Sequence, residues 1–352
     1  MVCAGAGVAL ATIADIAIQW METHKKGECF GLNKIDGERL LRSMIAGGTV
    51  GAGCGYFIHQ YKLKEEAKKK FCPSKYLRQV LNDHGLKNNP DFLKAMLHKR
   101  DKVKECLTEA LGAYLAANIY SGGSYGGRTA NVGSDLDLCV PIRANSIGTM
   151  EDTYQAVYQS LAYLEGDQHL VLIRRQRKSI GLDFRVDDLD IHIDVVPLCI
   201  SESYPNGHHT HLYVTPKWHE KKGTYIKTDP FLHKKNMAGR RQERQIIRLL
   251  KIWRQTNGLK MNSTIIQNMV IKCFDQYWHK IPDTLYERLL FAMEYVAFNL
   301  PRCRLVDIAN SNNIISERMS LEQKENVSRH LKSDCQRLLK NERYLVELFP
   351  LK

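Results

Sequence analysis

Two apolar segments of this chain carry carboxylates where a buried strand ordinarily has none. In "GSDLDLCV", residues 133–140, Asp135 and Asp137 sit one residue apart within a strand-like run. In "LDIHIDVVP", residues 189–197, Leu189, Ile191, Ile193 and Val195 fall on one parity, and Asp190, His192 and Asp194 on the other. Residues i and i+2 of a strand face the same way, so each segment presents its acidic residues from one side while the other side enters a core. Like charges held close together in a desolvated place are costly unless a cation accompanies them. Asp135, Asp137 and Asp194 on adjacent strands therefore suit a pair of divalent cations and phosphoryl transfer. Mg²⁺ is the expected ion, with Mn²⁺ as the alternative, because the donors are oxygens.

The residues before the pair fit the same scheme. Gly122, Gly123 and Ser124 read as a small-residue turn at the end of a helix, where backbone N–H groups and the Ser124 hydroxyl cradle a phosphate. Ser134 helps order the loop. Asp183, Asp187, Asp188 and Asp190 are nearby acidic competitors, and Asp190 would replace Asp194 if the strand register differed.

Around this centre the 352-residue chain alternates helix and strand and then becomes helical. Phe92, Met96, Val103, Leu107 and Leu111 recur at helical spacing, and Pro90 with Asp91 marks a helix start, within a helical region over about 75–118. Strands are read at "LDLCVPI", "HLVLIRR", "SIGLDFRV" and "LDIHIDVVPLCI", with a helix at "TMEDTYQAVYQSLAYL". From about residue 240 helices dominate. The class is α+β, with a mixed-sheet lobe over 75–235 that includes a long N-terminal helix, and a helical lobe over 236–352.

Residues 1–62 differ in composition. Two Gly/Ala-rich apolar runs read as a helical hairpin, either membrane-embedded or a soluble pair. Each is shorter than the ~20 residues that span a bilayer, and Asp15 interrupts the first. The ten cysteines show no C-x-x-C pair, the usage of a reducing cytoplasmic compartment. His208, His209, His211 and His219 read as a polar surface loop rather than a metal site. The net charge of +13 suits nucleotides, a nucleic-acid activator, an RNA acceptor or an anionic membrane beside the hairpin. Basic residues gather at Arg174–Lys178, Lys217, Lys221, Lys222, Lys234 and Lys235.

"GGSYGGRTANVGSDLDLCV" resembles the G-S…D-x-D signature of the DNA polymerase β-like nucleotidyltransferases, and "IHIDVVP" resembles their third-carboxylate strand. The branch it is most similar to holds the oligoadenylate synthases, cyclic GMP-AMP synthase and the bacterial CD-NTases. The resemblance implies a bilobal fold. It also implies that Asp135, Asp137 and Asp194 are the catalytic metal ligands, that Gly123 and Ser124 meet phosphates, and that Lys251 and Ser263 contact the donor triphosphate. It implies joining of ATP or GTP into a cyclic or short oligonucleotide, in immune or antiphage signalling. RNA 3′-end tailing and a catalytically dead, membrane-tethered adaptor are the alternatives. Thr264, Gln267 and Ile308 depart from the pattern and leave the base preference open. The zinc-binding insertion of cyclic GMP-AMP synthase is missing.

Overall fold

The computed structural model describes residues 71–201, 209–217 and 219–352. The hairpin read at 1–62 and His208 lie outside the described residues. Residues 73–352 form one compact unit.

The helical region read at 75–118 is two helices. Helix α1 spans Pro73–Asp83 and α2 spans Pro90–Leu111. Pro90 occupies the first turn of α2, where its missing N–H costs nothing, and Asp91 complements the positive end of the helix. Phe92, Met96, Val103, Leu107 and Leu111 are all buried on α2. The helix stops at Leu111, short of the expected end. After a 3₁₀ turn over Gly112–Tyr114, Leu115 bridges to Ile142 and the chain enters strand β1, Tyr120–Ser121. Leu115 and Ile119 pack on the core there, and strand pairing supplies the backbone partners a helix would have supplied. The small-residue turn therefore follows a strand rather than the end of the long helix.

Gly123–Gly126 forms a single helical turn, α3, before strand β2, Leu136–Arg143. Helix α4, Met150–Ser160, starts on a capping box between Thr149 and Asp152. Strands β3 (Leu170–Arg175), β4 (Ile180–Val186) and β5 (Leu189–Ser201) follow. Next come β6 (His209–Val214) and β7 (Thr224–Thr228). The sheet order is β1-β2-β5-β4-β3, with β6 pairing the far end of β5 and β7 pairing β6. Among the described residues only β2 and β5 run parallel; the other pairs are antiparallel. Helices α2 and α4 cover one face of the sheet, where Leu136, Leu138, Leu182, Ile193 and Val195 are fully buried.

The histidine-rich stretch read as a loop is partly strand. His209–Val214 is β6, because Leu212, Tyr213 and Val214 are a buried apolar run that the neighbouring histidines do not outweigh. His211 lies edge-on to Tyr225 across the β6–β7 pair, with ring centroids 5.7 Å apart.

Helix α5 spans Pro230–Asn236, α6 Arg241–Thr256, α7 Ser263–Gln276 and α8 Leu285–Asn299. A small hairpin, β8 (Val306–Asp307) with β9 (Asn310–Ile314), precedes α9, Leu321–Lys340, and α10, Leu345–Leu348. Helix α1 packs against α6 and α8. Trp253 of α6 is buried and donates its indole N–H to Asp334 of α9 at 2.8 Å. Mixed sheet and helical C-terminal part together are the α+β architecture read from the sequence. Among the described residues no helix is long and apolar enough to cross a membrane.

Candidate active site

The parallel pairing of β2 with β5 sets the site. Asp137 lies directly across from Asp194, and Leu136 across from Ile193. Register partners in a sheet face the same way, so both carboxylates leave the face opposite α2 and α4. Asp135 stands immediately before β2. Asp190 is placed beside Arg185 of β4, pairs with it at 2.6 Å and is exposed. Register thus assigns Asp194, not Asp190, to the group. Asp187, at φ 52°, sits in the turn between β4 and β5.

The small-residue turn lies against Asp137. The Gly122 N–H donates to the Asp137 carbonyl at 2.9 Å. Gly123 has φ +49°, and a methyl group there would fall 1.6 Å from Oδ2 of Asp137. Both the backbone region and the lack of space require glycine. The Ser124 carbonyl accepts from the Thr129 N–H at 2.8 Å, which curls the following loop back on the turn. Farther along, the Ser134 hydroxyl accepts from the Asn131 N–H at 3.0 Å.

Helix α6 grips this loop. The Lys251 ammonium is buried and donates to the Thr129 carbonyl at 3.0 Å. Three residues earlier on the helix, Arg248 donates to the Asn131 side chain at 2.8 Å, and Asn131 donates back to the Arg248 carbonyl at 3.2 Å. Ser263 opens α7, behind its N-cap Asn262, and its hydroxyl accepts from Arg254 at 3.0 Å. The structure brings Gly123, Asp135, Asp137 and Asp194 together. Lys251 reaches the same loop from α6, and Ser263 is tied to α6 through Arg254.

Burial pushes the Asp137 carboxyl up to about 6, with Asp194 and Asp135 adding to it and Lys251 partly opposing. Asp135 is also raised, chiefly by burial. Burial, helped by Arg254, draws Lys251 down to about 8, although Asp137 favours its charged form. These crowded carboxylate oxygens are a donor set that fits divalent cations.

The sequence reading missed His192. Its Nε2 lies 3.1 Å from Oδ1 of Asp194, and its Nδ1 lies 2.5 Å from Oδ1 of Asp183. Asp183 in turn forms an ion pair with Arg174 of β3. The hydrogen bond to Asp194 raises the imidazole to about 9 against burial, with Asp183 also raising it. One ligand atom each from Asp135, His192 and Asp194 lie within 4.8 Å of one another. The parity of Asp190, His192 and Asp194 was the available signal. A cavity of about 550 Å³ opens beside Asp135 and His192, lined also by Phe92, Asp183, Phe184 and Asp190, while Asp137 and Asp194 do not line it. The adjoining basic run is largely engaged. Arg174 holds Asp183, Arg175 lies 4.2 Å from the Tyr158 ring centroid, and Arg177 is 3.9 Å from Glu220.

No protein-family model matches the chain, and no curated protein matches it. Solved structures do. The CD-NTase CdnG of Bradyrhizobium diazoefficiens, in complex with GTP, is similar over 80% of this chain and 95% of its own, with a TM-score of 0.61 at 14% identity. The fold is that of the CD-NTases. CdnC of E. coli MS115-1 with ATP is similar over 78% of this chain and 96% of its own, with a TM-score of 0.56 at 16% identity. The CdnE cyclic dinucleotide synthase of Elizabethkingia meningoseptica, with GTP and Apcpp, covers 66% of this chain and 89% of its own, with a TM-score of 0.51 at 12% identity. In the CD-NTase fold of this chain, the carboxylates stand on the open face of the sheet, with the loop held by α6 beside them.

Proposed function

We propose that the chain is an active nucleotidyltransferase that joins nucleoside triphosphates, ATP or GTP, into a cyclic or short linear oligonucleotide signal, releasing pyrophosphate. Its role would be in immune or antiphage signalling. The observation that carries this reading is the parallel register of Asp137 with Asp194, with ligand atoms of Asp135 and Asp194 in one cluster beside it. Mg²⁺ or Mn²⁺ held by Asp135, Asp137 and Asp194 would activate the attacking ribose hydroxyl and neutralise charge on the α-phosphate and the departing pyrophosphate.

The chain's own groups divide the remaining work. Asp194 accepts the proton of the attacking hydroxyl. The bare backbone at Gly123 and the Ser124 hydroxyl let phosphate oxygens approach Asp137 without a side chain in the way. Lys251 supplies a positive charge to the triphosphate, and Ser263 a hydroxyl. The acting cleft lies between a catalytic lobe at 75–235 and a helical lobe at 236–352. That structures similar to this one hold GTP or ATP supports the substrate class.

The test is incubation of the protein with each triphosphate and with mixtures, with and without RNA, followed by mass spectrometry. Small oligonucleotides formed without RNA, and abolished in Asp135→Asn/Asp137→Asn, support the proposal. Extension of RNA alone would make it a tailing enzyme. No turnover under any divalent ion would leave a binding module.

A further inference from the structure

We infer that the metal centre is a mixed oxygen–nitrogen site, in which Nε2 of His192 binds the cation beside Asp135 and Asp194. It therefore takes a first-row transition ion, with Mn²⁺ as the probe, in preference to Mg²⁺. The inference rests on the nucleotidyltransferase reading in one respect: both place a divalent cation at these carboxylates.

Three observations carry it. The first is convergence. His192 and Asp194 are i and i+2 on β5 and leave the same face, and Asp135 stands at the entrance of the neighbouring strand. Their ligand atoms form one cluster within 4.8 Å. The second is the way the ring is held. An ionised carboxylate only accepts, so the 2.5 Å contact to Asp183 requires a ring proton on Nδ1. By the same rule Nε2 donates to Asp194 at 3.1 Å, so the ring carries both protons, and a cation takes Nε2 by displacing the proton it gives to Asp194. A histidine that donates one ring N–H to a carboxylate while offering the other nitrogen is the usual arrangement of a metal-binding imidazole. The support continues outward. Asp183 lies across from His192 in the β4–β5 register, and its far oxygen is held by Arg174 from β3.

The third observation is the spacing. Nε2 of His192 and Oδ1 of Asp194 are 3.1 Å apart. Neighbouring ligands of an octahedral ion with bonds near 2.1 Å are separated by about 3 Å. The hydrogen-bonded pair is thus already close to the separation a shared cation sets, so exchanging the Nε2 proton for the cation needs little movement of either side chain. Mg²⁺ is bound almost entirely through oxygen, whereas imidazole is a good donor for first-row transition ions. The nitrogen therefore biases the centre away from Mg²⁺.

The experiment uses the full chain with Mn²⁺ alone, without nucleotide. Electron paramagnetic resonance counts bound Mn²⁺, and pulsed spectra detect coordination by imidazole ¹⁴N. The expected result is one Mn²⁺ with an imidazole nitrogen coupling. His192→Ala should abolish that coupling and weaken Mn²⁺ by about 10–100-fold, while Mg²⁺ affinity, read by competition, changes by less than about 3-fold. Asp183→Ala keeps the imidazole but removes the acceptor that orients it, and should weaken Mn²⁺ by about 10–100-fold in a folded protein. Circular dichroism checks folding of both variants. Bound Mn²⁺ without nitrogen coupling, wild-type affinity in His192→Ala, or no Mn²⁺ binding at all would each overturn the inference. Nitrogen-free Mn²⁺ in a protein that still makes product overturns only this inference. Nitrogen-bound Mn²⁺ in a protein that makes none overturns only the proposed function.

Discussion

At Gly123 two constraints coincide: a backbone φ of +49° and a side-chain position only 1.6 Å from Oδ2 of Asp137. Gly123→Ala must move the carboxylate, the turn or both. A misplacement of about 1 Å at a reacting centre costs on the order of 100-fold, so the variant should lose at least that much turnover in a steady-state assay. Lys251 gives a pH-dependent expectation. Burial lowers its pKa to about 8, so the ammonium is charged at neutral pH and loses its proton as pH rises through that value. Triphosphate binding that depends on this charge should weaken above about pH 8. In Lys251→Arg, whose guanidinium stays charged, that loss should vanish. Measuring KM for the triphosphate between pH 7 and 9 in both proteins checks this.

Helix α2 carries a charged residue inside its apolar stripe. Lys99 is 2% exposed and donates to both oxygens of Asp167, itself 4% exposed, at 2.7 and 2.8 Å. Burial works against the ionised Asp167, yet hydrogen bonds from Lys99, the His169 backbone and Lys102 together hold its carboxyl well below the usual range. A carboxyl depressed in the folded state stabilises the fold above its unfolded pKa, about 3.9, and that stability is lost as pH falls below it. Urea unfolding between pH 2.5 and 6 should therefore show a stability loss below about pH 4 that is smaller in Asp167→Asn. At pH 7 that variant should itself be destabilised by about 3 kcal/mol, because it strands a buried ammonium. The stripe of α2 was legible because 3.6-residue spacing is a local property. Its end at Leu111 was not, because strand β1 forms only against β2. Likewise β6 hid among histidines, since what makes it a strand is its pairing with β5 and β7.

Across the whole molecule, Arg248 joins three parts that are distant in sequence. From α6 it donates to Asn131 of the loop before β2 and, at 2.6 Å, to the Leu81 carbonyl of α1. Arg248→Ala removes both bonds and leaves a buried carbonyl and amide to find other partners. We expect destabilisation of about 1–3 kcal/mol and faster amide exchange across residues 127–134, read by hydrogen-exchange mass spectrometry. The fold class and the three carboxylates were visible in the chain itself, because alternation on a strand determines which residues share a face. Neither periodicity nor spacing shows which strands become neighbours. The tertiary structure decided that β2 and β5 run parallel with Asp137 beside Asp194, which separated Asp194 from Asp190. It also brought Asp183 and Arg174 from two further strands behind His192. Those contacts depend on the register between distant segments, which is fixed only when the sheet closes over its core.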